Sequence, residues 1–212
     1  MKCMKSTILI PARKEAEDIL TWANEQNPGP WIGHSRAAGR AAEAIAQKCG
    51  LDEQRAYVSG LLHDIGYYSY RNGKGEKDHI FAGYELMMKK GYRDIAKICL
   101  SHSFPYQDIR SLASSYVRCN NEEMTLITTF LSETTYDDYD KLIQLCDSLC
   151  LPEGVVILEQ RLMEVAMRKG FGDFTLEKWG TWFSLKAYFD KLCGMNIYNL
   201  FYNEIHDSIF GS

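Results

Sequence analysis

The sequence predicts an all-α protein, and three observations support this prediction. Nearly every segment of the 212-residue chain places apolar residues at the three- and four-residue spacing of a helix face. Strict alternation of apolar and polar residues, the pattern of a half-buried strand, is hard to find. Glycine and proline fall between the periodic segments, where they end helices. We therefore expect one helical bundle that continues into further helices at the C-terminus.

Breakers and one capping residue delimit the first three helices. A helix is expected over residues 12–24, because the segment Asn27-Pro28-Gly29-Pro30 that follows strongly favours a turn. A second helix is expected over 31–49 and ends at the glycine after it. Asp52 has the side chain of an N-cap residue, so it predicts the start of a third helix over 52–65.

Further helices are expected after a polar, glycine-containing segment at 70–77. In chain order they cover residues 78–90, 95–102, 121–131, 139–149 and 155–169. The tail over 175–202 is helical and aromatic, and its side chains would form a large apolar patch if they faced water. We expect them to pack against the rest of the chain or against a partner subunit. They include Trp179, Trp182, Phe183, Tyr188 and Phe189.

Composition and charge disfavour several classes of function. The chain has a formal charge of −4 with scattered lysines and arginines, so it lacks the basic footprint of a nucleic-acid-binding protein. No apolar run approaches the roughly 20 residues of a membrane span, and the N-terminus lacks a signal-peptide pattern. We expect a single domain over residues 1–212, located in the cytoplasm, with no nucleic-acid or membrane partner. A small anionic ligand is compatible with a local positive field.

The cysteines predict neither a disulfide framework nor a thiolate zinc site. Seven is an odd number, their spacings are irregular and no Cys-x-x-Cys pair occurs. We expect reduced thiols. Cys146 and Cys150 flank Asp147 and are expected to be small buried hydrophobes in preference to ligands.

Four of the five histidines and two aspartates fall on apolar helix faces. These residues are His34, His63, Asp64, His79, His102 and Asp147. Burying one unpaired carboxylate costs several kcal/mol, and the expected neighbours of these groups are alanine, leucine, isoleucine and glycine. A single histidine on such a face is usually a hydrogen-bonded core residue, but six polar groups need many partners. One shared metal centre satisfies them together. The fifth histidine, His206, is expected at the surface.

The order of these six residues, with the literal sequence His63-Asp64-Ile65-Gly66, resembles the HD superfamily of metal-dependent phosphohydrolases and its HDIG subgroup. The resemblance covers about 31–151, which we expect to be an HD-domain helical bundle, followed by a C-terminal helical extension over 152–212. It implies that His34, His63, Asp64 and Asp147 hold one metal ion. By the same resemblance, His79 and His102 hold a second ion, and Asp64 is both the bridging ligand and the catalytic residue.

The resemblance implies hydrolysis of a phosphomonoester, a nucleotide or a nucleoside polyphosphate by two divalent ions that generate a hydroxide nucleophile. Imidazole-rich sites suit iron, which we expect first, or zinc, manganese or nickel, better than magnesium. Two alternatives stay open. Some proteins similar in fold and ligands are mixed-valence di-iron oxygenases. Tyr67 and Tyr68 would fit a redox site, but they fit packing better. A non-catalytic nucleotide sensor is the other.

The sequence departs from similar hydrolases at the substrate phosphate. They often carry a lysine just after the HD pair, whereas this chain has Tyr67, Tyr68 and Ser69. Arg71, Lys74 and Lys77 lie in the loop that leads to His79 and are close enough in sequence to replace that lysine, and Arg36, two residues after His34, is another candidate. The alternative for each of the four is a solvated surface charge. Loops that border a rigid site often carry binding residues. The expected partner is therefore a small phosphorylated substrate, and the sequence also allows a homodimer.

Overall fold

The computed structural model describes residues 9–70, 77–109 and 120–211. Over these residues the fold is all-α, as predicted, with one very small sheet. The helices are α1 Arg13–Gln26, α2 Pro30–Cys49, α3 Glu53–Leu62, α4 His79–Lys90, α5 Arg93–Ser101, α6 Asn121–Glu133, α7 Asp138–Asp147, α8 Leu158–Lys169, α9 Thr175–Cys193 and α10 Tyr202–Phe210. Two 3₁₀ helices, Ile65–Ser69 and Ile197–Phe201, and the antiparallel strands β1 Cys150–Leu151 and β2 Gly154–Val155 complete the fold.

Side-chain caps fix where several helices begin. Asp52 accepts a hydrogen bond from the backbone nitrogen of Arg55 at 2.8 Å, which confirms the predicted N-cap of α3. Asn120 and Asp137 begin α6 and α7 with reciprocal capping boxes. Gly50 follows α2 with a φ of +75°, a conformation that favours glycine.

Helix α2 is the centre of the bundle and packs against α3, α7 and α9. Its buried face consists of small residues, including Ala38 and Gly39, and α3 approaches this face through Gly60. A Cβ atom on Gly60 would lie 2.8 Å from the carbonyl oxygen of Ala38. The two backbones are therefore in direct contact, and they hold the end of α3 beside the first turns of α2.

Gly66, the last residue of the HDIG sequence, allows a second close approach. It lies in the first 3₁₀ helix, directly beneath the start of α4. A Cβ atom there would overlap the carbonyl oxygen of His79 and lie 2.6 Å from the backbone nitrogen of Gly83. The absence of a side chain therefore brings His79 close to Asp64, two residues before this glycine.

The substitution Gly66→Ala is expected to destabilise the protein by about 3 kcal/mol, because overpacking of this kind forces the backbone to move. Chemical denaturation followed by circular dichroism measures the change. Gly180→Ala is the matched control, since a Cβ atom there meets nothing within 4 Å. That control lies within α9 and is expected to stabilise the protein by about 0.5–1 kcal/mol. Equal stability of the two variants would contradict the close approach.

The C-terminal extension packs on the bundle mainly through α9. Phe189 is fully buried, and Trp179 and Trp182 pack against the cluster formed by α2 and α7, as predicted. Phe183 and Tyr188 remain 38% exposed each. The indole nitrogen of Trp182 donates to the carbonyl oxygen of Gln144 at 3.2 Å. This bond attaches α9 to the last turns of α7.

Two expectations about secondary structure are wrong. The short hairpin of β1 and β2 replaces the start of the helix expected over 155–169, which instead begins at Leu158. The expected third helix ends at Leu62, and a 3₁₀ turn follows it. Two-residue strands are too short to show alternation, so the sequence carries no periodic signal for them.

The expectation of reduced cysteines is also wrong at two positions. Cys49, at the end of α2, and Cys193, at the end of α9, form a disulfide with a Cα–Cα distance of 4.6 Å. Cys146 and Cys150 are buried free thiols, as predicted. Cys3 and Cys119 lie outside the described residues. Among the helices that the structure describes, none is both long enough and apolar enough to cross a membrane.

Candidate metal centre

The six predicted side chains converge from five parts of the fold. His34 lies near the start of α2, His63 and Asp64 follow α3, His79 begins α4, His102 follows α5, and Asp147 ends α7. Four of the six are buried, whereas 16% of the His79 side chain and 25% of the Asp147 side chain remain exposed. The site is therefore enclosed by the bundle and opens on the side of Asp147.

The first group of candidate ligands consists of His34, His63 and Asp147. The Nε2 atom of His34 lies 3.3 Å from Nε2 of His63 and 3.1 Å from Oδ1 of Asp147. The same carboxylate oxygen is 3.7 Å from Nε2 of His63. Three atoms that can each donate a lone pair thus surround one point.

The second group consists of Asp64, His79 and His102. The Nε2 atoms of the two histidines are 3.2 Å apart. Oδ1 of Asp64 lies 3.3 Å from Nε2 of His79 and 3.4 Å from Nε2 of His102. This group repeats the composition of the first, with two imidazoles and one carboxylate.

Asp64 joins the two groups because its two oxygens face in different directions. Oδ2 lies 3.6 Å from Nε2 of His63 and 3.8 Å from Nε2 of His34, whereas Oδ1 faces His79 and His102. A carboxylate in this position can ligate one cation with each oxygen.

The other ring nitrogen of each histidine is held by an acceptor. Nδ1 of His34 lies 3.0 Å from the carbonyl oxygen of Cys150, Nδ1 of His63 lies 2.7 Å from that of Gly60, and Nδ1 of His102 lies 3.2 Å from that of Ile98. A carbonyl oxygen only accepts, so each Nδ1 carries the proton and donates it. In a neutral ring, Nε2 then presents its lone pair to the centre, which is how outer partners prepare histidine for a metal.

The fourth histidine has a carboxylate partner. Nδ1 of His79 lies 2.9 Å from Oδ1 of Asp78, and this same oxygen accepts from the backbone nitrogen of Ile80 at the start of α4. Asp78 therefore both caps the helix and orients the ring. The ring of Tyr67 stacks on one face of the His79 imidazole, with ring centroids 4.4 Å apart and ring planes 7° apart.

The donor set fits divalent metal ions. Four imidazole nitrogens and two carboxylates face one another at 3.1–3.8 Å, and lone pairs at such distances repel unless a cation or a proton lies between them. Burial lowers the pKa of His63 and of His79, but the neighbouring carboxylates outweigh it and raise these pKa values to about 9 and about 10. Burial raises the pKa of Asp64 and of Asp147, and the surrounding histidines outweigh it and hold both pKa values well below the usual range. Protons and metal ions thus compete for one set of atoms.

The metal-free protein is expected to lose stability as the pH rises from about 7 to 10. Protonation of His63 and His79 stabilises the fold fully below the pKa of about 6.5 that histidine has in an unfolded chain. This contribution disappears as the pH passes through the folded-state values of about 9 and about 10. We expect the melting temperature of chelator-treated protein to fall by about 5 °C or more over this range.

Calorimetry of metal-free and metal-loaded protein checks this expectation. Bound ions replace the protons, so the loaded protein should melt at a temperature that varies much less from pH 7 to 10. The increase in melting temperature caused by the metal should therefore grow with pH. A metal-free protein whose melting temperature stays constant over this range would contradict the proton–metal competition.

The residues predicted to bind substrate lie in different surroundings. The Arg36 guanidinium donates to Oε2 of Glu17 on α1 at 2.6 Å. Lys77 forms an ion pair with Glu85 and lies 3.6 Å from Oε1 of Glu123. Arg71 and Lys74 lie outside the described residues. A substrate contact by any of the four stays a prediction. Tyr68 packs against Trp22 at 5.1 Å, which favours the packing interpretation for this side chain.

Two lysines that sequence analysis did not single out lie near the centre. Lys169 ends α8 and Lys178 lies in the first turns of α9. Burial lowers the pKa of both lysines; the carboxylates of Asp147 and Asp64 oppose this for Lys169, and that of Asp147 opposes it for Lys178. Both lysines lie in the chain after the segment that resembles the HD superfamily, and lysines near helix ends are common on solvated surfaces. Their positions in the sequence therefore did not indicate a functional role.

Comparison with known proteins is consistent with this geometry. No curated protein and no solved structure matches the chain. The family model described as the HD domain matches residues 31–150, which is more than half of the chain. This domain implies a metal-dependent hydrolase, and the His/Asp cluster has the composition to bind a divalent metal. The chain therefore belongs to the HD-domain family.

Proposed function

We propose that the protein is a phosphohydrolase that acts on a phosphomonoester, a nucleotide or a nucleoside polyphosphate through a dinuclear metal centre. The observation that supports two ions instead of one is the position of Asp64. Its two oxygens face two separate groups of imidazoles, at 3.6–3.8 Å on one side and 3.3–3.4 Å on the other. A one-metal site would leave His79 and His102 without a role.

The chain would supply four ligands to the first ion and three to the second, and Asp64 would count in both sets. His34, His63 and Asp147 would hold the first ion, and His79 and His102 would hold the second. Two divalent ions in such a site lower the pKa of water towards neutrality and offset the charge of a phosphoryl group. We expect iron to be the bound metal at this imidazole-rich donor set, and zinc, manganese and nickel also suit it.

Residues around the ligands orient the centre and limit its access to water. The carbonyl oxygens of Gly60, Ile98 and Cys150 hold three rings with Nε2 directed inward. Tyr67 covers one face of His79, and burial raises the pKa of its hydroxyl well above the usual value, so that the hydroxyl stays protonated. The backbone of this tyrosine is fixed by Asn27, which donates to its carbonyl oxygen at 2.8 Å.

An oxygenase with a mixed-valence di-iron centre is the second candidate. The stacking of Tyr67 on His79 favours it, since a redox-active ring then lies beside a ligand of the second ion. The same contact also explains the fixed orientation of the imidazole. The two candidates differ in one requirement, because only the oxygenase consumes oxygen.

Metal analysis followed by a substrate screen tests the proposal. Freshly purified protein is analysed for iron, zinc, manganese and nickel, and then assayed for phosphate release from phosphomonoesters and nucleotides, with and without oxygen. We expect about two ions per chain, and phosphate release that is lost on chelation and independent of oxygen. Turnover that needs iron and oxygen would instead support the oxygenase. Nucleotide binding without turnover would identify a sensor.

A further inference from the structure

The α8–α9 hairpin, residues 158–193, contacts chain segments beside two candidate ligands, Asp147 and His102. The Trp182 indole of α9 donates to the carbonyl oxygen of Gln144, three residues before Asp147. At the other side, Phe174 stacks on Tyr106, four residues after His102, with ring centroids 6.1 Å apart. The hairpin therefore packs against the segments next to Asp147 and His102.

Lys178 lies between these two contacts. It precedes Trp182 by one helical turn, and its Nζ atom lies 5.4 Å from the centre of the indole ring. Trp182 contacts Gln144 and Tyr188 donates to Oδ1 of Asp138, so α9 runs antiparallel to α7 and Lys178 lies at the end of α7 that carries Asp147. The side chain is half-buried, as expected for a lysine that extends along an apolar surface.

Lys169 is the second cation at this position. It ends α8, directly before the turn that leads to α9. Burial lowers the pKa of Lys178 to about 8, and the charge of Lys169 contributes to this shift, while Asp147 opposes it. The two lysines thus flank the same connection between α8 and α9, and both carry a positive charge.

A third cation strengthens the positive field. Arg161 lies two turns before Lys169 on α8 and pairs with Glu164, and its side chain is 15% exposed. Its Nε atom is buried and has no hydrogen-bond partner among the residues that the structure describes. Burial and the charge of Arg168 lower the pKa of Lys169, and the charge of Arg161 acts in the same direction. A region of this kind favours an anion.

We propose that Lys169 and Lys178 form the anion-recognition pair of this site and bind a phosphate group of the substrate at the mouth of the metal centre. The proposal rests on the proposed function and names the part of the chain that replaces the lysine missing after His63-Asp64. The C-terminal extension would thereby complete the substrate site.

Anion binding by metal-loaded protein tests the pair without relying on turnover. The probes are inorganic phosphate and pyrophosphate, titrated by calorimetry into wild type, Lys169→Ala, Lys178→Ala and the double variant. A hydrogen bond between charged groups supports a loss of roughly tenfold in pyrophosphate affinity for each single variant and more for the double. The metal content per chain should not change, since neither lysine is a candidate ligand.

Lys191→Ala is the matched control, because this exposed lysine lies on the same helix beyond the contact with Gln144. It should bind both probes like wild type, and Lys178→Arg should retain most of the affinity. Thermal melting identifies a variant that fails to fold, and Lys178→Arg then decides whether charge at this position governs binding.

The outcomes separate the two proposals. If metal-loaded wild type binds neither probe, the proposed function is wrong. If it binds them and the double variant binds pyrophosphate within twofold of wild type, the lysine pair is wrong and the proposed function stands. Parallel losses in Lys169→Ala and Lys178→Ala with unchanged metal content support the pair.

Discussion

Replacement of Asp64 by alanine is expected to lower the metal content from about two ions per chain to less than one. The same variant should lose phosphate release by about 10³-fold or more, because both ions are needed to stabilise the charge of the reacting phosphoryl group. Asp64 is the one carboxylate in the centre that faces both groups of histidines. Its removal leaves each group with one ligand fewer. Elemental analysis and a phosphate-release assay measure the two effects.

Asp18→Ala is the control for the loss of a carboxylate. This aspartate lies on α1 with 71% of its side chain exposed, and its nearest ion-pair partner is Lys14 at 3.8 Å. The control should retain both metal and activity. An Asp64→Ala protein that holds two ions would show that the two groups of histidines bind metal independently, and the bridging role would be wrong.

The double variant His79→Ala/His102→Ala is expected to retain about one ion per chain and to lose phosphate release by about 10²-fold or more, since the second cation no longer supports the reaction. His34, His63, Asp64 and Asp147 remain, and they suffice for a single site. His206→Ala is the matched control, because this histidine is 47% exposed and contacts Asp207 at 3.4 Å, away from the centre. Metal analysis and assays with and without oxygen give the result.

Hydrolysis at the wild-type rate by the double variant would rule out the dinuclear mechanism. Loss of both ions would show that the two groups bind metal cooperatively. Activity of the wild type that depends on iron and oxygen would move the oxygenase to first place. These three results are distinct, so one set of measurements decides among them.

Periodicity and breakers predicted most helices within a few residues, because amphipathic packing and capping are local properties. The second helix, expected over 31–49, covers Pro30–Cys49, and the helix expected over 121–131 covers Asn121–Glu133. The transition from α3 to a 3₁₀ turn was not predicted. It depends on the contact of Gly66 with α4, which is a tertiary contact and leaves no periodic signal.

The candidate ligands were predictable because polar groups on apolar faces are costly and must share a partner. The spacing of the candidate ligands did not predict their division into two groups, which the family resemblance implied. In the structure, this division follows from the orientation of the two Asp64 oxygens. Lys169 and Lys178 were not predicted, because the role of a lysine depends on the groups that surround it in the folded protein. The disulfide was not predicted, because Cys49 and Cys193 are 144 residues apart and the sequence does not show that they are close in space.

Most of the candidate ligands stand at helix termini, where His63 and Asp64 follow α3, His102 follows α5 and Asp147 ends α7. Helix termini are the parts of a helix that open first. Ions bound there would tie together chain segments that are otherwise free to fray separately, and their binding free energy would become part of the folding free energy. A hundredfold excess of metal over its dissociation constant adds about 2.7 kcal/mol. In a cell short of metal, the chain would therefore spend more time open to proteases, and its abundance would follow the metal supply.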